Sequence, residues 1–212
     1  MNKKILVFDL DGTLINSDEC IFLTWKEMFS NFPPEIEVDD CTIKSFSGPP
    51  LLDTVKLLYS HGNILKMNQE YIERTKKYYD NHIYLFNEEI KYLKLLKEKG
   101  FKLAINTNKN RERTLYTLNL FNMLDLFDFL VCGSDVQRQK PDPEGINKII
   151  NFFECEKEEV LFIGDTKFDY DTAINSNVDC VLFTMCERKF EPYIKPLKFF
   201  NSYEEFFNFL TK

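Results

Sequence analysis

ILVFDLDGT, residues 5–13, sets a short, continuously apolar run directly before two carboxylates and a glycine. Ile5 to Phe8 has the length and β-forming composition of a strand covered on both faces of a parallel sheet. An extended chain sends alternate side chains to opposite sides, so Asp9 and Asp11 share one side and Leu10 takes the other. Two like charges ~4 Å apart at an effective dielectric of ~20 repel by roughly 4 kcal/mol. Either one carboxyl keeps its proton or a cation joins the pair. The plain alternative is a solvated turn, because Asp-Gly is ordinary turn chemistry. The rest of the chain has to decide.

Beyond Leu14 the pattern becomes helical. Asp18 to Phe29 carries Ile21, Phe22, Trp25, Met28 and Phe29 on one face. VDDCTIKSF and LLDTVKLLYSHG read as two short helices separated by Ser47-Gly48-Pro49-Pro50, the second closed by Gly62. NQEYIERTKKYYDNHI reads as a fourth helix, with Asn68 as its N-cap. No strand is expected between residues 15 and 86.

From Asn87 helix and strand alternate. NEEIKYLKLLKEKG has Asn87 as cap and Gly100 as stop. FKLAIN, FDFLVC, VLFIGD and DCVLFT read as strands, separated by helices over RERTLYTLNLF, PEGINKIINFF and YDTAINSN, with a last helix from Ser202 to Leu210. This order predicts an α/β fold: a Rossmann-like parallel sheet with helices on both faces. The expected organisation is a core of residues 1–14 and 87–212 and an all-helical cap of residues 15–86, set above the acidic strand end.

The 212 residues, 44% hydrophobic and 29% charged, suit a soluble globular protein rather than a disordered one. The net charge of −7 argues against a nucleic-acid backbone as partner. Six cysteines without CxxC pairing and two histidines make a zinc site improbable. Scattered cysteines and no apolar segment of membrane length predict reduced thiols, a cytoplasmic location and no membrane partner.

In open α/β sheets ligands bind beyond the carboxyl ends of the strands. Those ends read Asp9-Leu10-Asp11-Gly12-Thr13, Thr107-Asn108-Lys109 and Gly164-Asp165-Thr166, with Asp169 four residues past Asp165 and Lys140 in RQKPDP between the last two. Three or four carboxylates gathered at these strand ends need more positive charge than Lys140 alone, which a divalent cation would supply.

DLDGT, NTNK, KPDP and GDTKFD, in this order, resemble the four motifs of the haloacid dehalogenase-like hydrolase superfamily, over nearly the whole chain. The helical insertion resembles the cap that this family places after its first motif, and phosphoglycolate phosphatase-like members are the nearest resemblance. The resemblance implies that the first strand lies between those of the second and fourth motifs. It also implies a Mg²⁺-dependent phosphatase acting on a small phosphorylated metabolite. Asp9 would be the nucleophile and form an aspartyl-phosphate, and Asp11 the general acid and base. Thr107, Asn108 and Lys140 would hold the phosphate. Asp9, the main-chain carbonyl of Asp11 and Asp165 would ligate the metal, with Asp169 beside the ligands rather than among them.

Lys109 is expected to be solvated, and His61 and His82 to have no chemical role. Trp25, Tyr71, Tyr78 and Tyr79 are expected in the core or on the lid surface. The Ser47–Pro50 turn is a candidate specificity loop. Among rivals, a phosphorylated receiver domain is about half as long and lacks the helical insertion. A dehalogenase lacks the second acid, and a phosphonatase needs a cap lysine as Schiff base. A sugar-phosphate mutase of the same family carries a histidine about where Ile21 stands. A catalytically dead binding protein is disfavoured because every motif residue is present. The oligomeric state is left open, a monomer included.

Overall fold

The computed structural model describes residues 2–186 and 188–212. Its centre is a six-stranded, fully parallel sheet built from β1 (Ile5–Phe8), β4 (Lys102–Asn106), β5 (Phe129–Val131), β6 (Val160–Gly164), β7 (Asp179–Phe183) and β8 (Lys198–Phe200). The strand order is β5-β4-β1-β6-β7-β8, so β1 lies between the strands ending in Thr107 and Asp165, as expected. Ile5 pairs with Lys102 on one side and Val160 on the other, and the two acidic strand ends emerge beside each other.

Both faces of β1 are buried, and alternation divides them. Leu6 and Phe8 pack with Leu93, Leu96 and Phe206 from α5 (Glu89–Glu98) and α9 (Tyr203–Leu210). Ile5 and Val7 pack with Ile146, Ile149 and Ala173 from α7 (Glu144–Phe153) and α8 (Lys167–Ser176). Burying side chains of this size contributes about 1.5–3 kcal/mol each.

Four helices, α1 (Asp18–Asn31), α2 (Asp40–Lys44), α3 (Leu51–Leu58) and α4 (Ile64–Tyr79), surround an apolar cluster of their own. Trp25 lies at its centre, 4.4 Å from the Tyr71 ring. The remaining helix, α6 (Arg111–Leu120), follows β4 and is capped by the Asn110 side chain.

Several local expectations are corrected. Residues 15–86 do contain strand: β2 (Ile15–Asn16) and β3 (Tyr84–Leu85) form an antiparallel pair where the chain leaves and re-enters the sheet region. α4 begins at Ile64, because the Asn63 side chain accepts the Lys66 N–H at 3.0 Å; Asn68 lies inside the helix. α3 ends at Leu58, four residues before Gly62, with Tyr59 as its terminal cap. α5 starts at Glu89 rather than at an Asn87 cap, and the Glu89 carboxyl oxygen Oε2 accepts the Phe86 N–H at 2.7 Å. The edge strand β8 lies in a stretch with no strand assigned from sequence. Among the described residues no helix is long and apolar enough to cross a membrane.

Candidate active site

Asp9 follows β1 at the centre of the sheet, and its N–H donates to Ile163 O of β6 at 2.8 Å. That bond fixes the carboxylate in a buried position, 3% exposed. Lys140 is equally buried, and its Nζ bridges Asp9 Oδ1 at 2.7 Å and Asp169 Oδ1 at 2.6 Å. Burial drives the Asp9 carboxyl above the ordinary carboxylate range, against the pull of Lys140. On Lys140, burial works against the charge, but Asp169 and Asp9 outweigh it and raise the pKa.

Asp165 follows β6 and is fully buried. Burial raises its carboxyl strongly, with Arg188 opposing. Its backbone neighbourhood explains the four-residue spacing to Asp169. Thr166 caps α8, and Asp169 in the first turn completes a capping box, its Oδ2 accepting the Thr166 N–H at 2.9 Å and Oγ1–H at 2.7 Å. The same oxygen accepts the Asp165 N–H at 3.1 Å. Asp169 is therefore held from both sides, by the helix terminus and by Lys140.

Two glycines make room for these acids. Gly12 has φ +83°, and a Cβ there would stand 2.1 Å from Asp165 Oδ2. A Cβ on Gly164 would stand 2.2 Å from Asp169 Cβ.

Asp11 differs from Asp9. Its carboxylate keeps some solvent exposure, and both oxygens accept from Lys109 Nζ at 2.6 Å. This corrects the expectation that Lys109 is solvated. The Lys109 ammonium lies over the Tyr79 ring, 5.1 Å from its centroid, and Asp11 outweighs the cost of burial so that its pKa is raised.

Thr107 is buried, and its Oγ1 accepts the Lys109 N–H at 3.2 Å. Asn108 joins three segments: its Oδ1 accepts the Lys140 N–H at 2.9 Å, and its Nδ2 donates to Gly48 O at 3.1 Å in the Ser47–Pro50 turn. Asp9, Asp11, Thr107, Asn108 and Lys140 thus line one cavity of about 410 Å³, which Gly48 and Pro49 also border. Asp165 and Asp169 stand behind it. His61 and His82 are not among the lining residues.

Carboxylate oxygens of Asp9, Asp165 and Asp169 lie within 4.8 Å of one another, all buried. Hard oxygen donors crowded in this way suit a small divalent cation such as Mg²⁺. Charge balance agrees, since among the described residues the three buried acids pair with Lys140 and Arg188 alone.

Arg188 escaped the sequence reading altogether. It lies beyond β7, outside all four motifs, yet its Nε donates to Asp165 Oδ2 at 2.8 Å and its Nη2 to Asp18 Oδ1 at 2.6 Å and Ser47 Oγ at 3.1 Å. Arg113, on α6, also lines the cavity; its Nη2 donates to Ile72 O of α4 at 2.9 Å. Neither residue carries a spacing signal, because each reaches the site through tertiary placement alone.

A parallel sheet with a buried carboxylate cluster at the end of its central strand frames an acid-centred site, and comparison with known proteins gives its class. Residues 6–183 match the family of haloacid dehalogenase-like hydrolases. The pyrophosphatase PpaX of Halalkalibacterium halodurans is 34% identical over 178 residues, which cover 84% of this chain and 82% of that protein. The crystal structure of a haloacid dehalogenase-like hydrolase from Bacteroides fragilis superposes with TM-score 0.87 at 26% identity, covering 96% of this chain and 99% of that one. A predicted phosphoglycolate phosphatase from Haemophilus somnus shares the fold, with TM-score 0.84 at 20% identity over 100% and 99% of the two chains. The chain belongs to the haloacid dehalogenase-like hydrolases, and it is a hydrolase.

Proposed function

We propose that the protein is a Mg²⁺-dependent phosphatase that hydrolyses a small phosphomonoester through an aspartyl-phosphate on Asp9, with residues 15–86 acting as the cap over a core of residues 1–14 and 87–212. One observation carries this reading: two carboxylates two residues apart border one cavity in different settings. Asp9 is buried against Lys140, and Asp11 is partly exposed against Lys109. Nucleophile and proton carrier need such a difference.

In the first step an Asp9 oxygen attacks phosphorus, the bond to the leaving oxygen breaks, and Asp11 delivers a proton to that oxygen. In the second step Asp11 takes a proton from water, the water oxygen attacks phosphorus, and the Asp9 carboxylate and inorganic phosphate are released. Lys109 occupies both Asp11 oxygens, so proton delivery requires Lys109 to turn toward the entering phosphate. Thr107, Asn108 and Lys140 are assigned to the phosphate oxygens, with the Lys140 charge opposite the group in transfer. Asp9, the Asp11 carbonyl and Asp165 would hold Mg²⁺, which when bound supplies positive charge that offsets carboxylate–phosphate repulsion. Asp169 keeps Lys140 and the start of α8 in place.

Hydrolysis of p-nitrophenyl phosphate should vanish in EDTA and return with Mg²⁺, and Ca²⁺ should replace it poorly because its larger shell misplaces the ligands. Full activity in chelator overturns the metal assignment. A second reading, pyrophosphate hydrolysis, is favoured by the name of the 34%-identical relative, and pyrophosphate belongs in the same assay.

A further inference from the structure

The cavity above Asp9 has two unlike walls. Its charged groups, Asp9, Asp11, Lys109, Arg113 and Lys140, all come from the sheet ends and α6. Among the described residues between 15 and 86, no charged side chain lines it: Lys26, Lys44, Lys56, Lys66, Arg74, Lys76 and Lys77 all lie elsewhere. The facing wall is mostly apolar, made by Ile21, Phe46, Leu51, Leu52, Leu65 and Ile72, with Asn68 and Tyr71 set among them as uncharged polar groups.

Two of the hydroxyl groups on that side, those of Thr75 and Tyr79, are committed elsewhere. Thr75 Oγ1 donates to Tyr71 O at 2.7 Å within its own helix, and the Tyr79 hydroxyl is bonded to Thr117 Oγ1. Leu52 and Leu65 stand in the first turns of α3 and α4 at 38% and 76% exposure, apolar side chains left in water at the border of the cavity. Both side chains face the same cavity. A space of about 410 Å³ falls within the range that holds an organic molecule.

We infer that the leaving group of the substrate is predominantly apolar, an aliphatic or aromatic alcohol, and that it lies against the wall of Ile21, Phe46, Leu51, Leu52, Leu65 and Ile72. This rests on the phosphatase reading above and sharpens it. A second phosphate or a short carboxylate would meet no charged group from residues 15–86; Arg113 approaches that wall from α6 through its bond to Ile72 O, and the pyrophosphate and phosphoglycolate arms below test whether it takes an anion instead.

The test is the dependence of kcat/KM on chain length in methyl, butyl and hexyl phosphate, esters that differ chiefly in methylene count, beside pyrophosphate and phosphoglycolate. Each added methylene that reaches the wall should raise kcat/KM by about fourfold, mostly through KM. A series without slope, or pyrophosphate or phosphoglycolate turned over better than hexyl phosphate, overturns the inference and leaves the phosphatase reading standing. Turnover of none of these compounds overturns both. The double variant Leu52→Asn/Leu65→Asn, at the two exposed positions, should cost about tenfold more on hexyl than on methyl phosphate. An unchanged ratio, with an unchanged Tm, overturns the placement of the leaving group.

Discussion

Asp9 and Asp11 are neighbours in sequence that hold different cations, and the proposed chemistry assigns them different losses. Asp9→Asn should abolish turnover of every ester, since no covalent intermediate can form. Asp11→Asn keeps the nucleophile but removes the proton carrier. Its loss should be ~10²–10⁴-fold on an alkyl phosphate and much smaller in the first step on p-nitrophenyl phosphate, whose leaving group needs no proton. Phosphorylated Asp9 should then accumulate, detected by rapid-quench mass analysis. Equal losses on both esters with no trapped phosphoenzyme sink the division of labour. The pair was legible in the sequence because side-chain alternation needs only two residues to place both acids. Lys109 was misjudged because its partner is 98 residues away, and no local pattern reports a contact of that separation.

Elements were legible where burial imposes a pattern. The strands covered on both faces, β1, β4, β6 and β7, each hold an uninterrupted apolar run of at least three residues, preceded in β4 by the exposed Lys102 and in β7 by the exposed Asp179. β2 and β3 are two residues each, and β8 is an edge strand with two exposed residues of three, so neither propensity nor period identifies them. α5 shows what a helix start can conceal. Glu89 Oε2 accepts the Phe86 N–H while Oε1 has no partner, and burial pushes the carboxyl from 4.5 up to about 9. The fold therefore holds this group protonated, whereas the unfolded chain releases the proton near 4.5. The contribution is full below that value and is lost as pH rises toward 9, by about 1.4 kcal/mol per pH unit between the two. Glu89→Gln should raise Tm more at pH 8 than at pH 5. Thermal melts that show no such difference mean the carboxyl is ionised in the fold.

At the scale of the molecule, the order of four short motifs predicted one crevice, and the strand order brings them together. What the sequence could not convey was the shape and polarity of the space above them, which depends on how α1, α3 and α4 lean toward the sheet ends. Deleting residues 18–83 and closing the gap with a short linker tests whether those helices select substrate or only support the fold. If they select, kcat/KM on the best ester should fall by ~10²-fold or more, because positioning and water exclusion are lost together. Loss on p-nitrophenyl phosphate should be far smaller. Equal losses on both, in a chain that still melts cooperatively, assign the helices a supporting role.

The antiparallel pairing of Ile15 with Leu85 and Asn16 with Tyr84 brings the outgoing and returning chain side by side at the rim of the sheet. Two adjacent antiparallel strands can be joined by a turn of two residues. The junction is therefore indifferent to how much chain is spliced into it: a long insert, a short one or a bare hairpin meets the same two pairs of residues. The segment between the two pairs can be exchanged like a cassette, while β1 and the carboxylates at its end keep their own hydrogen bonds to β4 and β6.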